Sequence, residues 1–161
     1  AYADAVLQHC REQGITLLVP TIDPELEPLS LARADFDELG TELAVGSPQL
    51  VAIARDKAAT AQFLTGHGLP SPRTSLFVDA LGEEWRFPVF VKPRHGSASR
   101  GIRLVTSPED LCAVVEEEPL IVQERLTGPE FTINLFFDAG GTLRCAVPHE
   151  RLQVRAGEVE K

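Results

Sequence analysis

The residues best suited to chemistry surround a short segment near the middle of the sequence. Lys92 and Pro93 end an apolar stretch, and a glycine- and serine-rich segment, residues 94–101, follows directly. We call this segment the glycine loop. Glycine lets backbone N–H groups turn toward an anion, and the lysine ammonium adds a compact positive charge, so the pattern predicts a phosphate-binding loop. Neither of the phosphate-binding motifs GxxxxGK[ST] and GxGxxG occurs. Taken by itself, the loop therefore favours the alternative interpretation, an ordinary hairpin with a flexible turn.

Other charged residues stand at the ends of predicted elements. Lys57 opens a helix, where the helix dipole disfavours positive charge, and such a placement indicates a functional reason or simple solvent exposure. A buried strand over 120–123 runs directly into Glu124, and Glu130 follows Gly128. A ligand-binding role and an ordinary surface role both remain open for these two acids.

These residues must be positioned by the strands and helices around them. Apolar residues predict strands over 88–91 and 102–105, one on each side of the glycine loop. Asp56 opens one helix, and Ser107-Pro108 predicts a second one with a capping serine. Strands are also predicted over 74–78, 120–123, 130–137 and 143–147, with a turn at 138–141 between the last two.

The first 55 residues alternate between helices and strands as an open α/β sheet does. A helix with one apolar face ends at Gly14, and the apolar run 15–19 predicts a strand buried on both faces of a parallel sheet. A helix is predicted over 26–39, a second strand over 43–45, and a further helix from Ser47-Pro48. The predicted fold class is therefore α/β.

Composition excludes several classes of protein. A net charge of −9 over 161 residues and a pI near 4.9 lack the basic footprint of a nucleic-acid binder. The apolar runs are too short to span a bilayer, and the start shows no signal peptide. Three separated cysteines without a CxxC pair predict neither a zinc site nor disulfides, so the cytoplasm is the expected location. The absence of methionine predicts a piece of a longer chain.

The sequence resembles the ATP-grasp superfamily in four stretches, through their order and spacing. They are Asp56-Lys57 with the following 68–72, the segment 87–93 with its glycine loop, the segment 122–132, and the upstream segment 18–26. The branch that it resembles contains the carbamoyl-phosphate synthase large chain and related carboxylate–amine ligases. The resemblance implies the end of a Rossmann-like domain over 1–55, a first grasp lobe over 56–126, and the start of an incomplete second lobe over 127–161.

The resemblance also assigns residues to ATP. Those residues are Lys57, Lys92, Gly96, Ser97, Ala98, Gly101, Gln123, Glu124, Leu126 and Glu130. The two lysines would contact the phosphates as charge-assisted donors, and residues 95–101 of the loop would fold over the β- and γ-phosphates. The segment around Glu124 would bind the adenine, and the Glu130 carboxylate would accept hydrogen bonds from the ribose hydroxyls.

The end of the sequence departs from the family pattern. Members hold Mg²⁺ through late acidic and amide side chains, and those ligands are expected beyond Lys161, so no metal site is assigned within this chain. Glu158 and Glu160 lie in a polar tail and are not assigned as ligands. Arg151 and Arg155 resemble residues that face the acceptor substrate, and they are taken as substrate contacts.

The implied activity is that of a C–N bond-forming ligase. ATP would phosphorylate a small carboxylate, such as an amino acid, and an amine or similar nucleophile would attack the acyl phosphate. The 161 residues alone are expected to bind ATP weakly and not to turn it over. A biotin-carboxylase-like enzyme and a non-catalytic nucleotide-binding module are the alternatives, and a homodimer is an open possibility. Neither a nucleic acid nor a membrane is expected as a partner.

Overall fold

The computed structural model describes residues 2–97, 99–138 and 140–152, and the backbone of 154–155 and 158–159. The helices are α1 (Tyr2–Gln13), α2 (Asp23–Leu31), α3 (Arg33–Leu39), α4 (Pro48–Arg55), α5 (Lys57–Gly66), α6 (Phe77–Ala80) and α7 (Pro108–Cys112). The strands are β1 (Leu17–Leu18), β2 (Glu42–Leu43), β3 (Thr74–Leu76), β4 (Val89–Pro93), β5 (Arg103–Val105), β6 (Leu120–Glu124), β7 (Phe131–Phe137), β8 (Leu143–Glu150), β9 (Val154–Arg155) and β10 (Glu158–Val159).

The N-terminal part packs helices around a small parallel pair of strands. Strands β1 and β2 pair in parallel, and helices α1 to α3 supply a core around the fully buried Phe36. The parallel pairing expected from the sequence is confirmed. Burial of the first strand on both faces is wrong, because Leu17 is 54% exposed and β1 has only β2 as a neighbour in its two-stranded sheet.

Local capping signals set several helix boundaries. Gly14 follows α1 with a φ of 61°, a conformation that favours glycine. The Ser47 hydroxyl accepts a hydrogen bond from Leu50 N at the start of α4, and the Ser107 hydroxyl accepts one from Asp110 N at the start of α7. The single helix predicted over 26–39 is wrong, because the chain leaves helical geometry at Ala32 and continues as two helices.

The central part is a four-stranded antiparallel sheet in the order β3-β6-β4-β5. Its inner face packs with α6 and α7 into a core that includes Phe77, Val89 and Val122, which are all nearly inaccessible to solvent. The predicted strand over 74–78 ends at Leu76, and residues 77–80 form α6. Phe77 enters this core from the helix.

The last described part begins with a long antiparallel hairpin. Strands β7 and β8 pair from Phe131 with Glu150 to Phe137 with Leu143, with a bulge near Phe137. Asp138 shapes the turn by accepting hydrogen bonds from the N–H groups of Gly140 and Thr142. The mixed α/β class predicted from the sequence is confirmed. The domain boundaries after residues 55 and 126 stay predictions. Within the described part of the chain, no helix is long and apolar enough to cross a membrane.

Candidate functional site

Lys92 is positioned by the register of the central sheet. Strand β4 is flanked by β5 and β6, and Lys92 lies opposite Ile121 of β6. Side chains alternate along a strand, so Val89 and Val91 enter the core while Phe90 and Lys92 share the other face. The Lys92 ammonium consequently lies 6.0 Å from the centre of the Phe90 ring.

That face of the sheet opens into a cavity of about 520 Å³, which we call the lysine pocket. Five of the residues assigned to ATP line it together: Lys92, Gln123, Glu124, Leu126 and Glu130. The end of β6 and the segment leading into β7 both contribute to its wall. Residues that are 38 positions apart in the sequence thus meet around one space.

Two aromatic residues of the lysine pocket were missed from the sequence. Phe90 and Phe131 line the pocket beside Lys92 and Glu130. The signal for Phe90 was present, because a residue two positions before Lys92 on a strand must share its face. Phe131 carries no comparable signal, since its place in the pocket depends on how the hairpin leaves the sheet.

The glycine loop forms a separate cavity of about 490 Å³, which we call the loop pocket. Gly96, Ser97 and Gly101 line it, whereas Ala98 lies outside the described residues. Gly101 has a φ of 71°, and a Cβ atom there would lie 2.8 Å from Pro93 Cγ, so both backbone geometry and space require glycine. The structure therefore divides the assigned residues between two cavities.

Lys57 lines neither of these pockets but holds the start of the loop. Its Nζ donates hydrogen bonds to the carbonyl oxygens of Pro93, at 2.9 Å, and Gly96, at 3.0 Å. Burial lowers the pKa of Lys57, and the nearby carboxylates of Asp23, Asp56 and Glu118 oppose that shift. The ammonium thus lies beside the backbone of the predicted phosphate loop.

Lys92 is the cationic side chain of the lysine pocket, which also holds the carboxylates of Glu124 and Glu130. Burial lowers the pKa of Lys92 below its ordinary value, and the positive charge of Lys57 lowers it further. Both effects disfavour the charged ammonium, and an anionic group bound beside it would counteract them. The Lys92 side of the pocket is consequently suited to a negatively charged part of a ligand, and the two carboxylates are suited to hydrogen-bond donors.

The predicted substrate contacts lie near the end of the hairpin. Arg151 Nε lies 3.0 Å from Glu130 Oε1, and an Arg151 guanidinium N–H donates to the Thr132 hydroxyl at 3.0 Å. Arg151 N also donates to the Glu130 carbonyl at 2.7 Å. Arg151 therefore contacts the residue assigned to the ribose. The side chain of Arg155 lies outside the described residues.

A larger cavity lies beside the lysine pocket and is less suited to the expected chemistry. It has a volume of about 830 Å³, lies between α5 and β3, and shares Pro72 and Glu124 with the lysine pocket. Its basic residue, Arg73, is engaged elsewhere, because it pairs with Glu83 at 2.7 Å and stacks on Trp85 at 4.2 Å. Small side chains such as Ala58 and Ala61 make up much of its wall.

Comparison with known proteins identifies the family. Residues 54–160 match the family model described as the ATP-grasp domain, and the chain therefore belongs to the ATP-grasp family. This match confirms the resemblance found in the sequence.

Two relatives and one solved structure illustrate the similarity. D-alanine–D-alanine ligase from Marinobacter nauticus is 37% identical over 122 residues, which are 67% of this chain and 35% of that protein. The ligase of the same name from Marinomonas sp. is 29% identical over 116 residues, 66% of this chain and 37% of that protein. The biotin carboxylase domain of 2-oxoglutarate carboxylase from Hydrogenobacter thermophilus, in complex with MgADP, ADP and bicarbonate, superposes with a TM-score of 0.78 at 17% identity, covering 98% of this chain and 39% of that chain.

These similarities establish the fold and show how much of the relatives' length the chain covers. The superposition over nearly the whole chain confirms the expected ATP-grasp architecture. The chain spans only about a third of the length of the two curated relatives.

Proposed function

We propose that this chain forms the nucleotide-binding part of an ATP-grasp ligase that activates a carboxylate for attack by an amine. The observation that carries the proposal is the lysine pocket, where one half-buried ammonium and two carboxylates of the assigned set surround a single space. The family match and the similarity to D-alanine–D-alanine ligases support the same chemistry.

The residues of the two pockets, together with Lys57 beside the loop, divide the nucleotide between them. Lys92 and Lys57 neutralise the phosphates, and Gly96, Ser97 and Gly101 bring backbone N–H groups toward them. Ala98, from the same assigned set, belongs to this segment of the loop.

The adenine and ribose occupy the lysine pocket. The adenine lies along the end of β6, against Gln123, Glu124 and Leu126. Because Glu124 N donates to Arg73 O at 2.9 Å, the end of this strand has a fixed position. The Glu130 carboxylate accepts hydrogen bonds from the ribose hydroxyls.

The reaction has two steps. A carboxylate oxygen attacks the γ-phosphorus and ADP leaves, which gives an acyl phosphate. The amine then attacks the acyl carbon and inorganic phosphate leaves. The residues of this chain bind and orient the nucleotide and neutralise its charge, which are the main protein contributions to phosphoryl transfer. A small carboxylate such as an amino acid is the proposed substrate, and a homodimer is the proposed assembly.

The magnesium ligands stay a prediction. Among the described residues, no group of three or more His, Cys, Asp or Glu side chains could hold a metal ion. We assign no step to a metal within this chain, and the ligands for Mg²⁺ are proposed to lie beyond Lys161.

Thermal stabilisation by Mg·ATP tests the proposal. A ligand at 100 times its dissociation constant stabilises a protein by about 2.7 kcal/mol, so the unfolding temperature of the 161-residue chain should rise. Lys92→Ala should lose most of this shift. Arg11→Ala, on the exposed surface of α1, is the matched control and should retain it. Equal shifts in all three proteins would refute the proposed site.

A further inference from the structure

Asp56 and Arg94 form an ion pair that lies between α5 and the glycine loop. Arg94 Nε lies 2.9 Å from both carboxylate oxygens of Asp56, and a terminal guanidinium nitrogen lies 2.5 Å from Oδ2. The Asp56 side chain is only 12% exposed, and that of Arg94 is 34% exposed. The Arg94 guanidinium holds the pKa of Asp56 below its ordinary value, so the carboxylate is ionised at neutral pH.

The same carboxylate fixes the first turn of α5. Asp56 Oδ1 accepts hydrogen bonds from Ala58 N, at 2.9 Å, and Ala59 N, at 3.2 Å. One residue later, Lys57 N donates to the carbonyl of Arg94 at 3.1 Å. Side-chain and backbone contacts therefore join the start of this helix to the first residue of the loop.

The loop is held on its other side as well. Arg94 N donates to Pro119 O at 2.8 Å, which ties it to the segment before β6. The Lys57 ammonium donates to Pro93 O and Gly96 O. Of the described loop residues, 95–97 and 99–101 are exposed, so the loop's position depends on contacts at its two ends, which are Arg94 at its beginning and β5 after it.

We infer that the Asp56–Arg94 ion pair is a positioning lock, which fixes the start of the glycine loop against α5 and thereby places Lys57 beside the phosphates. Its consequence for the nucleotide rests on the proposed function. Asp56 and Arg94 themselves need not touch the ligand. They act through Lys57 and through the backbone of Pro93 and Gly96.

The test separates loop position from overall folding. Asp56→Asn retains an oxygen that can cap α5 but removes the charge that binds Arg94, and Arg94→Gln removes the other partner. Glu27→Gln is the matched control, because it removes the charge that pairs with the Arg55 side chain at 2.7 Å, whereas the loop residue His95 contacts Arg55 through its backbone carbonyl. Each 161-residue variant is treated with trypsin below its unfolding temperature, and cleavage after Arg100 is followed by mass spectrometry.

We expect Asp56→Asn and Arg94→Gln to be cleaved after Arg100 several times faster than the wild type, while Glu27→Gln matches it. Affinity for Mg·ATP should fall roughly tenfold in the two lock variants, as it does when positioning partners are lost elsewhere. Arg94→Lys, which retains the positive charge, should recover part of the wild-type resistance to cleavage and part of the wild-type affinity for Mg·ATP. A purely structural ion pair would lower the unfolding temperature without producing this pattern.

Two results would overturn the inference. One is an unchanged cleavage rate at Arg100 in folded Asp56→Asn and Arg94→Gln, and the other is faster cleavage with unchanged nucleotide affinity. If the wild type itself does not bind Mg·ATP, the proposed function fails. In that case the cleavage rates, measured without nucleotide, still decide whether the ion pair fixes the loop.

Discussion

The four-stranded sheet and the β7–β8 hairpin both border the lysine pocket, but they differ sharply in burial. In the sheet, Val89, Val91 and Val122 are at most 1% exposed. In the hairpin, Ile133, Leu135 and Phe136 are all more than half exposed, although the strand register is regular from Phe131 to Phe136. Backbone pairing alone thus defines the hairpin, whereas side-chain packing defines the sheet.

This difference assigns different physical roles to the two sides of the site. Lys92, Gln123 and Glu124 lie on β4 and β6. Other side chains of these two strands are buried in the core of the sheet. Glu130 leads into β7 and β8, whose side chains have no such core among the residues that the structure describes. Isolated two-stranded hairpins are marginally stable in water, so we expect the sheet to preorganise its part of the site more strongly.

The largest effect comes from making the same truncation in both regions. Phe77→Ala removes a core side chain that is 5% exposed and should destabilise the 161-residue chain by about 3–5 kcal/mol. Phe136→Ala removes one that is 63% exposed and should change stability by less than about 0.5 kcal/mol. Urea unfolding measures both. An equal loss of stability in the two variants would mean that the hairpin side chains are covered in solution. The contrast in burial between the sheet and the hairpin would then be wrong.

Local sequence signals predicted the helix boundaries well, because a cap involves neighbours in the chain. Ser47, Asp56 and Ser107 all accept hydrogen bonds from backbone N–H groups within three residues. The break at Ala32 was missed because apolar spacing continues through it, although Pro28 within α2 hinted at an irregular helix.

The site itself was only partly predictable. The family resemblance predicted residues that share the lysine pocket, and strand alternation was enough to add Phe90. The Asp56–Arg94 pair was out of reach, because 38 residues separate its members and only the packing of α5 against the end of β4 brings them together. The exposure of the hairpin was also missed, since its apolar residues indicate burial when only the sequence is considered.

The second prediction concerns the edge of the packed region. Asp56→Asn should lower stability by about 1–2 kcal/mol at neutral pH, because it removes charge-assisted hydrogen bonds to a partly exposed arginine. The folded state lowers the pKa of Asp56, so its stabilisation is present above the ordinary value of 3.8 and is lost as the pH falls through the lower folded value.

Urea midpoints at pH 7 and at pH 3 measure this change. The difference between wild type and Asp56→Asn should shrink at the lower pH. A difference of the same size at both values would show that the charge on Asp56 contributes nothing and that loss of the cap geometry explains the defect.

The third prediction concerns the half-buried ammonium of Lys92 on the sheet side of the lysine pocket. Because the pKa of Lys92 lies below 10.5, this lysine loses its proton at lower pH than an ordinary one. Affinity for ATP should consequently fall as the pH rises through the lowered pKa of Lys92. The fall should be about tenfold per pH unit once the neutral form of the lysine predominates. Calorimetric titrations over a series of alkaline pH values test this, with Lys92→Arg as the control that stays charged. Parallel profiles for the two proteins would exclude Lys92 as the titrating group.

The smallest effect is expected on the hairpin side. Arg151 pairs with Glu130, whose side chain is 68% exposed, so solvent screens the interaction and Arg151→Gln should weaken ATP binding only about threefold. Arg144→Gln breaks a comparable 2.7 Å pair with Asp138 near the turn of the same hairpin and should leave ATP binding unchanged. If Arg151→Gln instead spares the nucleotide and weakens binding of the carboxylate substrate, Arg151 acts as the substrate contact predicted from the sequence. Equal losses in both variants would mean that the hairpin responds as a whole, and the proposed local role of Glu130 would be wrong.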